Sequence, residues 1–156
     1  MKIAIGYASM SGNTQIIALQ IQKYLATQNI EAKLFDLFET PSADLAEFDL
    51  VFWGCSTYDD GQMNPLATIF FETAVANKQV YNQVTSALFS LGDSMYPEFA
   101  TAGKVMETHL SKMGSKVLEP IFIIDGFPTT ETLAQTDDWT QQILDSIPTD
   151  LLQKPA

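Results

Sequence analysis

The sequence predicts an α/β domain built on a doubly wound, five-stranded parallel sheet with helices on both faces. Three observations carry this reading. Short apolar runs alternate with stretches of helical periodicity along the 156 residues. The runs are apolar at successive positions rather than at every second one, as in strands buried from both sides. The length suits one domain, which buries about two-thirds of the surface its unfolded chain exposes and needs no staples.

Lys2-Ile3-Ala4-Ile5-Gly6-Tyr7 reads as the first strand, and Ile17, Ile21, Tyr24 and Leu25 follow it at helical spacing. Ile30 to Phe35 is the second strand. The stretch from Asp36 to Asp49 is polar and too short for a long helix, which makes this crossover the weakest element. Leu50 to Trp53 is the third strand. Asn64 can cap the next helix and Pro65 fits its first position, with Leu66, Ile69, Phe70 and Thr73 marking its course. Val84 to Ser90 is the fourth strand; Ala102, Met106, Leu110 and Met113 then line one helix face, which Gly114 ends. Val117 to Ile124 is the fifth strand, but Pro120 has no N–H to pair, which suggests an edge or a bulge. Trp139, Ile143 and Ile147 belong to a last helix stopped by Pro148. Residues 1–147 thus read as a single domain without repeats or linkers, and residues 148–156 as a C-terminal tail, loosely attached from Leu151 onward.

Composition excludes several classes of function. Hydrophobic residues make up 46% and charged residues 17%, which is ordinary globular composition. Nineteen acidic residues against eight basic ones leave a net charge of −11, and all eight basic residues are lysine. Nucleic acid and anionic membrane surfaces are therefore excluded as partners. A bound phosphate has to be held by backbone N–H groups, hydroxyls or lysine, because no guanidinium fork exists. The charge fits either docking onto a basic partner or simple solubility. No apolar run approaches the ~20 residues of a membrane span, and no leader pattern opens the chain. Cys55 is the only cysteine and makes no internal disulfide. These features point to a soluble, cytoplasmic monomer.

In doubly wound sheets, ligands bind beyond the carboxyl ends of the strands, where the strand order reverses. After the first strand, Ser9-Met10-Ser11-Gly12-Asn13-Thr14 runs directly into a helix. Hydroxyls and free N–H groups there attract phosphate through the helix dipole. Plain N-capping by Ser or Asn is the alternative reading, and the segment alone does not decide between them. It is neither a nucleoside-triphosphate loop, lacking Gly-Lys-Ser/Thr, nor a dinucleotide fingerprint, having one glycine. After the third strand comes Gly54-Cys55-Ser56-Thr57-Tyr58-Asp59-Asp60-Gly61, and after the fourth Ser90-Leu91-Gly92-Asp93-Ser94-Met95-Tyr96-Pro97. One tyrosine on each of these loops, at the same end of the sheet as the hydroxyl-rich turn, suggests a flat ring held between aromatic faces.

Ser-Met-Ser-Gly-Asn-Thr, Gly-Cys-Ser-Thr-Tyr-Asp-Asp and Leu-Gly-Asp-Ser-Met-Tyr, in this order and spacing, resemble the flavodoxins. The similarity runs from Met1 to about Ile147. The passage of the fifth strand into Ile123-Ile124-Asp125-Gly126 without a long insertion is similar to the short-chain branch. The resemblance implies the sheet order 2-1-3-4-5 and non-covalent FMN. It also implies a low-potential one-electron carrier between a reductase and acceptor redox enzymes with basic faces, not an enzyme with its own substrate. It implies that Ser9, Ser11 and Thr14 offer hydroxyls to the phosphate while Met10, Gly12 and Asn13 offer amides. Ser56 and Thr57 would lie near the phosphate and ribityl chain, Tyr58 over the inner ring face and Tyr96 over the outer. Leu91, Gly92, Asp93 and Ala100 would meet the pyrimidine edge. Asp59 and Asp60 would lie beside the ring; Asp59 stands where glycine is frequent in the family, at a peptide that turns over on reduction.

Other reactive side chains read as structural. Cys55 has no cation near it in sequence to lower its pKa, and the single histidine, His109, has no Cys/His cluster around it for a metal. Phe52 and Trp53 read as core, and Asp137-Asp138 as a solvated helix face. Met63, Met95 and Phe99 are either packing around the ring site or an apolar patch where a partner docks. A response-regulator receiver is excluded, because Ala8-Ser9, Gly54-Cys55 and Asp125-Gly126 stand where its acidic pair, aspartate and lysine belong. The rival function is an FMN-dependent NAD(P)H:quinone reductase. A tyrosine for each ring face, short loops and the missing arginine argue against it.

Overall fold

The computed structural model describes residues 1–58, 61–99 and 101–155. Asp59, Asp60 and Ala100, each expected at the ligand site, lie outside the described residues. The strands are β1 (Ile3–Ala8), β2 (Ala32–Asp36), β3 (Leu50–Tyr58), β4 (Gln62–Met63), β5 (Thr85–Gly92), β6 (Lys116–Val117) and β7 (Phe122–Asp125). The helices are α1 (Asn13–Thr27), α2 (Ser42–Leu45), α3 (Pro65–Ala76), α4 (Ala102–Lys112), α5 (Thr130–Asp145) and α6 (Thr149–Leu152). The sheet runs β2-β1-β3-β5, with β6 and β7 both pairing in parallel with β5. This is the expected 2-1-3-4-5 order with the fifth strand in two pieces.

The break in the fifth strand falls where Pro120 removes a donor from the ladder. Trp139 reaches across from α5 and donates its indole N–H to the Pro120 carbonyl at 2.9 Å, while its ring stacks on Phe122 with centroids 5.3 Å apart. The interruption is thus pinned to the last helix. A further departure lies at the end of β3. It continues past Trp53 through Tyr58, then β4 folds back antiparallel, pairing Thr57 with Met63 and Tyr58 with Gln62. Period-based reading stops at Trp53 because Ser56 and Thr57 are polar; the ladder continues because Ser56 still pairs with Leu91 on β5.

Each sheet face carries its own core. Ile3, Ile5, Phe52 and Phe89 pack under α1 and α5 with Ile17, Ile21, Trp139 and Ile143. Val51, Trp53, Cys55 and Leu88 pack under α3 and α4 with Phe70, Phe71, Met106 and Leu110. Trp53 has its polar atom satisfied: Nε1 donates to Ser86 Oγ at 2.9 Å, Ser86 bonds Ser115 at 2.7 Å, and Ser115 donates to the Val84 carbonyl at 2.7 Å. A buried polar chain completed in this way keeps its desolvation cost low. The weak crossover holds only the four residues of α2, fastened where Tyr81 donates its hydroxyl to the Ser42 carbonyl at 2.7 Å.

The tail is held more firmly than its composition suggests. The Met1 amino group donates to the Lys154 carbonyl, Lys154 Nζ lies 3.4 Å from Asp49 Oδ1, and Leu152 packs against the α1–α5 core. Asp137, read as solvated, accepts a hydrogen bond from Gln20 at 2.7 Å and so joins α5 to α1.

Gly54 sits opposite Phe89 on β5, and a Cβ built there would lie 2.1 Å from the Phe89 ring. Overpacking of this kind costs about 1–3 kcal/mol. Gly54→Ala should lower stability by that amount in urea denaturation; an unchanged midpoint would contradict the packing described.

Candidate functional site

The turn from β1 into α1 resolves the capping question raised by the sequence. The N-cap of α1 is Gly12, in the left-handed region at φ +92°, and no side chain caps the helix. Of the other three long helices, α4 likewise has no cap from its own N-cap side chain, but α3 and α5 differ. Asn64 accepts from Leu66 N at 2.9 Å to cap α3, and Thr129 forms a reciprocal capping box at α5. Ser9, a candidate cap, turns inward instead: its Oγ accepts the Gly12 N–H at 2.9 Å and closes the loop on itself. The Gly12 amide, expected to point at a phosphate, is therefore engaged within the loop. The first amides of α1 are left without a side-chain acceptor, and its first turn holds no acidic residue. Beside Gly12 a Cβ would meet nothing within 4 Å, so the space in front of the turn is open.

Three further segments gather at the same edge. The β3–β4 hairpin brings Ser56, Thr57 and Tyr58. Buried Asn64 fixes it from behind, donating Nδ2 to Ser56 Oγ at 3.1 Å and its backbone N–H to the Ser56 carbonyl at 2.9 Å. The segment after β5 is a run of turns. The Asp93 carboxylate accepts from Met95 N at 2.9 Å and the Asp93 carbonyl from Tyr96 N at 3.0 Å. The end of β7 locks this segment in place: Asp125 Oδ1 accepts from Ser94 N at 2.8 Å, and Gly126 N donates to the Gly92 carbonyl at 2.7 Å.

Together these segments line a cleft of about 430 Å³ beyond the carboxyl ends of β1, β3 and β5. Of the residues expected at the site, Ser11, Asn13, Ser56, Thr57, Tyr58, Leu91, Gly92, Asp93 and Tyr96 line it. Ser9, Met10, Gly12 and Thr14 belong to the adjoining turn but not to the lining; Thr14 is buried, and Met10 faces outward at 59% exposure. Tyr58 is half-buried and Tyr96 is 65% exposed, so one wall is fixed and the other open. Glu98, Gly126 and Phe127 line the cleft without having been singled out, and Phe99 joins them. Phe127 lies just past the end of the fifth strand, so the strand-end rule applied to the first, third and fourth strands would have reached it. No lysine is among the lining residues, while Asp93 and Glu98 stand at the cleft.

The remaining reactive groups keep to structural roles. Burial pushes the Cys55 thiol up to about 12, which leaves no thiolate at neutral pH. His109 stacks on Phe71 with centroids 5.4 Å apart, and burial lowers its pKa. Met63 is buried in the core under α3 and α4, whereas Met95 is 86% exposed beside the cleft. Among the described residues no group of His, Cys, Asp and Glu could hold a metal ion.

Fold and cleft define the class: a doubly wound α/β domain with an aromatic-walled opening at its topological switch point. A family model described as Flavodoxin matches residues 5–139. The probable flavodoxin 1 of Bacillus subtilis (strain 168) is 32% identical over 131 residues, which cover 83% of this chain and 81% of that one. Oxidised flavodoxin 2 from Bacillus cereus superposes with a TM-score of 0.85 at 26% identity, covering 94% of this chain and all of that one. The flavodoxin of Fusobacterium nucleatum, solved bound to flavin mononucleotide, superposes at 0.77 with 15% identity, covering 94% and 99%. The chain belongs to the flavodoxin family.

The Asp125 carboxyl is held below its ordinary pKa by its hydrogen bonds with Ser94. A depressed carboxylate contributes stability above its unfolded value, near pH 4, and loses it as the pH falls through the folded value. The chain should therefore be more stable than its Asp125→Asn variant at pH 6, with the gap closing in acid. Denaturation midpoints that differ equally at pH 6 and pH 3 would contradict this tie between loops.

Proposed function

We propose that this chain is a low-potential one-electron carrier that holds FMN non-covalently in the cleft and passes electrons between a reductase and acceptor redox enzymes. The observation that carries the reading is the start of α1, uncapped and open, set beside a cleft with a tyrosine on each of two loops. The residues fit the group. A dianionic phosphate suits the free amides and dipole of α1 together with the hydroxyls of Ser9, Ser11 and Thr14. Met10 and Asn13 add amides, and Gly12 contributes its conformation rather than its own N–H. Ser56 and Thr57 lie along the path from that turn to the aromatic walls. Tyr58 and Tyr96 would cover the ring, while Leu91, Gly92 and Asp93 offer backbone groups to its polar edge. Ala100, Asp59 and Asp60 complete the proposed set from the sequence alone. When bound, FMN supplies the one-electron chemistry that no side chain of this protein offers. The chain's part is to orient the ring, limit its contact with water and surround it with acidic groups that disfavour added negative charge.

The partner we infer carries a basic face. Lysines 2, 23, 33, 78, 112, 116 and 154 all lie toward the amino ends of the strands, where Glu31, Asp44, Glu47 and Asp49 offset them. The cleft end holds Asp36, Glu39, Asp93, Glu98 and Asp125 with Lys104 alone against them. Such a separation steers a positively charged surface to the cleft. Exposed Met95, Tyr96 and Phe127 then offer apolar contact at the point of closest approach. No helix among the described residues is long and apolar enough to cross a membrane. A lone buried thiol suits a reducing compartment, and we place the carrier in the cytoplasm as a monomer.

A visible spectrum recorded during stepwise anaerobic reduction tests the function. The pure chain should take up one equivalent of FMN, turn yellow and reduce in two separable one-electron stages. Its reduction by a basic-faced reductase should slow as salt rises. A colourless chain that takes up no FMN at micromolar concentration would overturn the reading; a salt-independent rate would overturn the basic partner.

A further inference from the structure

Tyr58 ends β3 and Tyr96 stands in the segment after β5, and two threonines join these regions. Thr57, on β3, accepts the Ala102 N–H through Oγ1 at a long 3.4 Å. The first amide of α4 is thus capped from another strand, while Thr101, the helix's own N-cap, makes no side-chain cap bond. The Thr101 hydroxyl faces the other way. Its Oγ1 lies 2.7 Å from the Glu98 carbonyl and 3.1 Å from the Gly61 carbonyl, so its single proton is shared between a turn of its own loop and the residue that precedes β4. The approach is close: a Cβ on Gly61, which sits at φ +86°, would come within 2.3 Å of Thr101 Oγ1. Gly61 leads directly into β4, the strand that closes the hairpin beneath Tyr58. Glu98 in turn lines the cleft two residues beyond Tyr96.

We propose that Thr101 is a positioning residue whose hydroxyl sets the separation of the two aromatic walls by linking Gly61, at the head of β4, to the segment that carries Tyr96. It does not itself line the cleft; it acts through Gly61 and through Glu98, which does. The inference rests on the reading of the cleft as an FMN site only in so far as ligand affinity reports the wall separation. A purely local role for the hydroxyl, closing the turn onto Glu98, would leave the Gly61 side unaffected by its loss.

Thr101→Val removes the hydroxyl and keeps the branched shape; Thr101→Ser keeps the hydroxyl and loses the methyl group. In the ligand-free protein, Thr101→Val should speed hydrogen exchange at the Gln62 and Met63 amides while leaving the α5 amides unchanged, and Thr101→Ser should exchange like the parent. In the loaded protein, the FMN dissociation constant should rise about fivefold for Thr101→Val, the factor that one net hydrogen bond represents, and stay within about twofold for Thr101→Ser. Unchanged exchange and affinity in Thr101→Val would overturn the proposal. So would a serine variant that fails as the valine variant does, since the methyl group rather than the hydroxyl would then be responsible. If the parent took up no FMN, the function proposed above would fall, while the exchange comparison would still decide the link.

Discussion

The first amides of α1 have no side chain to receive them, and the chain has no arginine to supply positive charge nearby. An uncapped helix start is a local loss of stability that Ser, Asn or Asp at the cap position would ordinarily remove. Here Ser9 is near enough to act, yet its hydroxyl closes on Gly12 instead. The result is a concentrated partial positive charge at the end of an otherwise strongly acidic molecule. An anion placed there makes charge-assisted hydrogen bonds, each contributing about 1.5–3 kcal/mol. In a protein of net charge −11, this arrangement would let a dianion bind without a full countercharge, as the proposed function requires.

The rest of the cleft is lined by the carboxyl-end residues of β3 and β5 and by the segments that follow β5 and β7, each held from behind. Asn64 is buried and anchors the Ser56 side of the hairpin while capping α3. Asp125 and Gly126 fasten the segment that carries Tyr96. Thr57 and Thr101 join the two. None of these ties is strong alone, since a net hydrogen bond contributes about 1 kcal/mol. Their effect comes from position: the Asn64 bonds hold the hairpin locally, while those of Asp125 and Thr57, and that of Thr101 with Gly61, cross between segments 31 to 45 positions apart. The exposed wall, with Tyr96, Met95 and Phe127, is also where a partner can come nearest to a ring in the cleft.

Much of this was legible in the residues. Apolar runs without alternation marked the buried parallel strands, and the serine-rich turn with the two tyrosine-bearing segments marked the residues that border the cleft. Pro120 announced the interruption of the fifth strand, because a missing N–H is a property of the residue itself. Features that depend on pairing between distant segments were not legible. The extension of β3 through Tyr58 relies on its neighbour β5, and Ser56 and Thr57 carry no apolar signal of their own. The inward turn of Ser9 could not be told from a cap, since both use the same hydroxyl over nearly the same distance. Glu98 enters the lining from the segment tied to Gly61 through Thr101, whereas Phe127, just past the fifth strand, was within reach of the strand-end rule. The anchoring of the tail through Lys154 and Asp49 spans 105 positions and leaves no local trace.

In the proposed function the uncapped start of α1 recognises a phosphate. Riboflavin shares the ring of FMN but lacks that group, so the ligand-free protein's affinities for the two isolate the contribution directly. Two or more charge-assisted hydrogen bonds predict FMN binding tighter by at least about 100-fold. Equal dissociation constants for FMN and riboflavin would contradict it.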